Sequence, residues 1–90
     1  MKTPKRIKFR LVEKDIEKAK KNDGYGDMDL CPIAWGLRRI GKKYVAVYGE
    51  TAMINAHKFK LNPVAQLFIR RFDARKAVYP INVILTPIST

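Results

Sequence analysis

The side chains able to do covalent or acid–base chemistry are few: one cysteine, Cys31, and one histidine, His57. Cys31 falls at a helix start, where the helix dipole favours a thiolate, the form a nucleophile needs. His57 lies after a hairpin on a strand, and no third group is positioned to orient either residue. Cys31 therefore reads as a buried structural thiol, and His57 as a surface or half-buried imidazole rather than a base. Asp23, Asp27 and Asp29 offer oxygen ligands for a hard cation, but their spacing does not match a calcium loop, and capping with loop hydrogen bonding explains them more simply. There is no second cysteine or histidine cluster for zinc, and no P-loop, dinucleotide fingerprint, nucleophile elbow or carboxylate pair. The expectation is a protein without catalytic residues, metal or cofactor.

Charge is more informative. Nineteen Lys and Arg face eight Asp and Glu, a net charge of +11 on 90 residues. Residues 1–30 carry a balance of +3 and residues 31–90 a balance of +8. The excess forms three clusters: Arg38, Arg39, Lys42 and Lys43 after one helix; Lys58 and Lys60 alternating on a strand; and Arg70, Arg71, Arg75 and Lys76 along another helix. If the two helices lie side by side over the sheet, the clusters merge into one cationic surface suited to a phosphate backbone through counterion release. Trp35, Tyr44, Tyr48 and His57 would then stand nearby to stack on unpaired bases. The plainer reading is a set of solvated faces that keep the domain soluble. Self-repulsion decides against it, because solubility gains little from charge beyond a moderate value while the compact state is strained by it. No helix-turn-helix, zinc-finger or RNP signature is present.

These residues must be positioned by a small body. A chain of this length buries only about 60–65% of its unfolded surface, enough for one core and a surface site. An apolar share of 47% is too high for a disordered basic tail. The basic N-terminal residues 1–6 are followed by no apolar run of signal-peptide type, and no stretch approaches a membrane span. The lone cysteine suits a reducing compartment, so the expected location is cytoplasmic.

Ile7, Phe9 and Leu11 alternate with Lys8 and Arg10, a strand with one buried and one cationic face. From Glu13 the period changes to that of a short polar helix carrying Ile16 and Ala19. Residues 22–30 are a loop. Pro32 opens a second helix, capped by Asp29 or Cys31, with Ile33, Leu37 and Ile40 as its core face and Gly41 as its stop. Residues 44–48 and 51–56 form a hairpin around Gly49-Glu50, with glycine suited to the first central position. Residues 57–61 alternate again, as a continuation of that strand or as a short separate one. Asn62-Pro63 starts a third helix with an amide cap, running to about Lys76 with Val64, Leu67, Phe68 and Phe72 as its buried stripe. Ile81, Val83 and Leu85 give a closing strand, which Pro87 stops. The expected fold is α+β: one small domain over residues 1–90, with two main helices on one face of a mostly antiparallel sheet of about four strands.

The stretch Asp29-Leu30-Cys31-Pro32-Ile33-Ala34-Trp35, followed by Leu67-Phe68-Ile69-Arg70-Arg71-Phe72-Asp73 and Tyr79-Pro80-Ile81, resembles small bacteriophage and prophage proteins of unknown function that share a Cys-Pro-(Val/Ile)-Ala helix. The chain departs from that pattern in its cationic surplus and in the small Gly36. The resemblance implies action by binding, in the bacterial host cytoplasm, while an exposed sheet edge at the first or last strand leaves both monomer and homodimer open. Two functions are expected. The first is nucleic-acid binding, to DNA or RNA, through Arg38, Arg39, Lys42, Lys43, Lys58, Lys60, Arg70, Arg71, Arg75 and Lys76. The alternative is inhibition of a host protein, as an anti-CRISPR or other anti-defence factor docked on a nucleic-acid-processing partner through Trp35, Tyr44 or Tyr48.

Overall fold

A computed structural model describes residues 4–88, so residues 1–3 of the basic N-terminal segment lie outside the described residues. The elements run β1 (Ile7–Arg10), α1 (Glu13–Lys21), α2 (Pro32–Arg39), β2 (Val45–Val47), β3 (Thr51–Ile54), β4 (His57–Leu61), α3 (Pro63–Asp73) and β5 (Asn82–Pro87). The strands form one five-stranded antiparallel sheet in the order β1-β5-β4-β3-β2. The expected α+β class holds, with one more strand than expected because residues 57–61 are a strand of their own. Asn55 and Ala56 take left-handed backbone angles, φ 51° and 69°, and so turn the chain back between β3 and β4. Ala56 is the residue that hides this turn from sequence reasoning, since glycine is the usual occupant of such a position.

Cross-strand partners in an antiparallel sheet share a face, so the register assigns every strand residue to one side. Val47, Ala52 and Phe59 form one inward row, and Leu61, Leu85 and Ile7 another. Together with Val83 they meet Ile16, Ile33, Leu37, Phe68 and Phe72 in a single core. All three helices therefore cover this face. α2 packs on α1 and β2, and α3 packs on β5.

Close packing sets two residue choices in the helical layer. A methyl group added to Gly36 would stand 2.6 Å from Phe9 Cε2 and 3.1 Å from Asp15 Oδ2, so glycine lets α2 approach α1 and β1. Asp15, at 1% exposure, is the buried charged residue of the core. Its carboxylate accepts hydrogen bonds from Arg39 Nε and a second Arg39 guanidinium nitrogen, both at 3.0 Å, and from the Val12 backbone N–H at 3.1 Å. Its charge is thereby compensated in place.

Several sequence expectations shift by a residue or two. β1 ends at Arg10, and Ile40 is 38% exposed rather than core. The buried stripe of α3 is Ala65, Phe68, Ile69 and Phe72, while Val64 and Leu67 face outward at 52% and 54% exposure. α3 ends at Asp73, and Arg75 adopts φ 60° just beyond it. Neither Cys31 nor Asn62 caps its helix by a side-chain hydrogen bond. Asn62 instead ties α3 to β5, its Oδ1 accepting from Ile84 N–H at 3.1 Å and its Nδ2 donating to Asn82 O at 3.2 Å. Gly49 does not take a positive φ, so the β2–β3 turn is not of the expected type, and Pro87 lies within β5 opposite Phe59.

Candidate nucleic-acid interface

The expected cationic clusters do not merge. Lys58 and Lys60 pair with Met53 and Thr51 and lie on the sheet face away from the helices, whereas the Arg38 and Arg70 clusters belong to the helical layer. Within that layer several arginines are engaged internally. Arg39 holds Asp15 and also donates to Arg10 O at 2.9 Å. Arg38 donates to Asp29 O and stacks on the Trp35 ring at 4.7 Å, with Lys18 at 5.4 Å from the same ring. Trp35 is half-buried against the core, and its indole N–H is buried with no hydrogen-bond partner. Its ring is thus occupied by cations of its own chain.

Arg75 lies 4.0 Å over the Tyr25 ring and pairs with Asp23 at 3.6 Å, while Tyr25 stacks on Phe72 at 4.5 Å. Gly26 N–H donates to Asp73 Oδ1 at 2.7 Å, and Val47 N–H donates to Met28 O at 2.8 Å. These contacts fasten the 22–31 loop to α3 and to the β2 edge. Asp27 Oδ1 accepts from the backbone N–H groups of Asp29 and Leu30, the loop role expected of these aspartates. Arg71 Nε donates to Ala77 O at 3.3 Å, and Arg70 and Lys76 are exposed and form no ion pair among the described residues. The α3 cluster is therefore in part a fastening for its own C-terminal turn.

Tyr48, at 45% exposure, borders a cavity of about 520 Å³ shared with Asp27, Asp29 and Asp73. Three carboxylates beside a stacking ring disfavour a polyanion there. Cys31 lies at the same cavity, 3% exposed, and burial pushes its thiol up to about 11, against the partial opposition of the Ala34 and Ile33 backbone N–H groups. It is a protonated thiol at neutral pH and a poor nucleophile in this state.

The uncovered sheet face is different in character. β1 contributes Lys8 and Arg10, and β4 contributes Lys58 and Lys60. Between them β5 presents Asn82, Ile84 and Thr86, opposite Arg10, Lys8 and Lys60 respectively. The two cationic rows, two strand spacings or about 10 Å apart, are thus staggered along an uncharged strip, with Lys8 opposite Ile84 and Lys60 opposite Thr86 as the nearest pair across it. Thr51, Met53 and Ala46 continue the face across β3 and β2, and no paired residue on it is a carboxylate. Among the described residues only Arg39 and Arg75 form ion pairs, so these four cations are uncompensated. Lys8 and Arg10 carry the alternation visible in the sequence, yet only the topology, which places β1 at the edge beyond β5, brings them to the face of Lys58 and Lys60.

A second basic feature opens at one end of the sheet, where Lys42, Lys43 and Tyr44 meet Lys5, Arg6 and His57 around a groove of about 470 Å³. Tyr44 is 81% exposed. No helix of the described residues is long and apolar enough to cross a membrane. No family model matches the chain, and the comparisons with curated proteins and with solved structures likewise give no match.

Proposed function

We propose that this protein is a non-enzymatic nucleic-acid-binding domain that contacts the phosphate backbone through the uncovered face of its sheet. The observation that supports this is the pair of cationic rows, Lys8 and Arg10 on β1 and Lys58 and Lys60 on β4, with no carboxylate between them. Such a face gathers like charge at a cost in self-repulsion that a polyanion relieves. Lys42, Lys43, Arg70 and Lys76, exposed or lining the end groove, extend the field around the edges of the domain. Arg38, Arg39 and Arg75 play a mainly structural part in this reading.

The test is a salt titration of binding to labelled single-stranded and duplex oligonucleotides, using protein freed of bound nucleic acid. The Lys58→Glu, Lys60→Glu double variant should weaken binding to all sequences alike and reduce the salt slope by about two. An unchanged affinity and slope would overturn the assignment of this face.

A second reading has an observation of its own. Val64, Leu67 and Tyr79, the last 71% exposed, border a shallow apolar groove with Phe68 and Ile81 on the outer side of α3. A protein partner, as in the host-inhibitor role that the phage-protein resemblance suggests, would cover such a surface. Capture that survives nuclease treatment and high salt but is lost in Leu67→Asp would favour it over the first.

A further inference from the structure

The groove between residues 4–7, 41–44 and 54–57 has the chemistry of a nucleotide site. Its floor is apolar, formed by Ile54 and Phe59, which are 6% and 2% exposed. Its rim holds four cations, Lys5, Arg6, Lys42 and Lys43, and no carboxylate lines it. Tyr44 lines the same groove and is 81% exposed. A volume of about 470 Å³ lies within the usual range for small-ligand clefts.

The backbone around the groove is held in unusual conformations. Gly41, Tyr44 and Asn55 all line it and all take left-handed angles, φ 96°, 54° and 51°. For Tyr44, which is not glycine, this conformation is strained, and it is fixed by the Asn55 N–H donating to Tyr44 O at 3.2 Å. The strain sets where the Tyr44 side chain leaves the backbone, next to the cationic rim.

We propose that this groove accepts one unpaired nucleotide of a single strand, with the base stacked on Tyr44 over the Ile54–Phe59 floor and the phosphate held by Lys42, Lys43, Lys5 and Arg6. A phosphate alone needs only the rim. A base face needs the ring and floor, and a duplex keeps its base faces inside the stack. Lys8 continues directly from Arg6 along β1 onto the uncovered sheet face, so a strand entering the groove has a cationic path onward. The inference rests on the nucleic-acid reading above and adds strand class and an entry point to it.

The experiment compares wild type, Tyr44→Ala, Tyr44→Phe and the Lys58→Glu, Lys60→Glu variant on a single-stranded oligonucleotide and on a blunt duplex of equal length. Tyr44→Ala should bind the single strand roughly 5- to 150-fold more weakly, the range for one stacked base, and the duplex within about twofold of wild type. Tyr44→Phe should keep the single-strand affinity, since it retains the ring. If Tyr44→Ala binds both forms like wild type while the Lys58→Glu, Lys60→Glu variant loses both, the groove assignment is overturned and the sheet-face reading stands. If wild type binds neither oligonucleotide, both fall together.

Discussion

Arg39, at the end of α2, grips the carboxylate of Asp15 on α1 through two hydrogen bonds of 3.0 Å, joining residues 24 positions apart across the contact between the two helices. The two ends of this pair differ in burial, with side-chain exposures of 38% for Arg39 and 2% for Asp15. That asymmetry makes the two deletions unequal.

Arg39→Ala should destabilise the domain by about 3 kcal/mol, because it leaves a buried carboxylate with only the Val12 N–H as partner. Arg39→Ala combined with Asp15→Asn should recover part of that loss, since the orphaned charge is gone. Urea denaturation of the single and double variants measures both steps. A loss below about 0.5 kcal/mol for Arg39→Ala would place the pair with ordinary surface ion pairs.

At Gly36, alanine brings the better helix propensity, worth about 1 kcal/mol, against a methyl group 2.6 Å from the Phe9 ring. Overpacking of this kind typically costs 1–3 kcal/mol, so Gly36→Ala should be net destabilising by about 1 kcal/mol and Gly36→Val by more. Thermal unfolding of the two variants should rank them in that order.

Ala56 offers the opposite case. Its φ of 69° strains an alanine, and glycine removes the strain at a smaller entropic cost in the unfolded chain. Ala56→Gly should therefore stabilise the protein by about 0.5–1 kcal/mol, read as a higher denaturation midpoint at constant m-value.

Cys31 links stability to alkaline pH. Burial raises its folded-state value from 9.0 to about 11, so the folded protein holds the thiol proton more tightly than the unfolded chain. The resulting stability is fully present below pH 9 and is lost as pH rises from 9 towards 11, by about 2–3 kcal/mol at most. Unfolding free energies measured from pH 8 to 11 should fall more steeply for wild type than for Cys31→Ala. Parallel curves would show that the thiol does not titrate differently in the two states.

Much of this architecture can be read in the chain because local periodicity encodes it. The alternation of Ile7 and Phe9 with Lys8 and Arg10, and that of residues 57–61, each give a strand with a correct inner and outer face. The α3 stripe is harder, because Ala65 contributes to the buried face by its position while the larger Val64 and Leu67 lie outside it. The β3–β4 turn escapes notice because its second residue is alanine. Which cations share a surface depends on strand order and on partners distant in sequence. Lys60 gains Lys8 as a diagonal companion across β5, whereas Arg39 and Arg75 are withdrawn by Asp15 and by Tyr25 with Asp23.

The strand order also bears on how the protein is made. Among the described residues β1 pairs only with β5, and Ile7 lies opposite Leu85, so the first strand has no place in the sheet until β5 has been made. Closing so long a loop is entropically slow compared with forming the consecutive β2–β3–β4 meander. During synthesis, residues 7–10 must wait until residues 82–85 have been translated. Their alternation of isoleucine and phenylalanine with lysine and arginine keeps this unpaired segment charged in the interval, a safeguard against self-association before the last strand arrives.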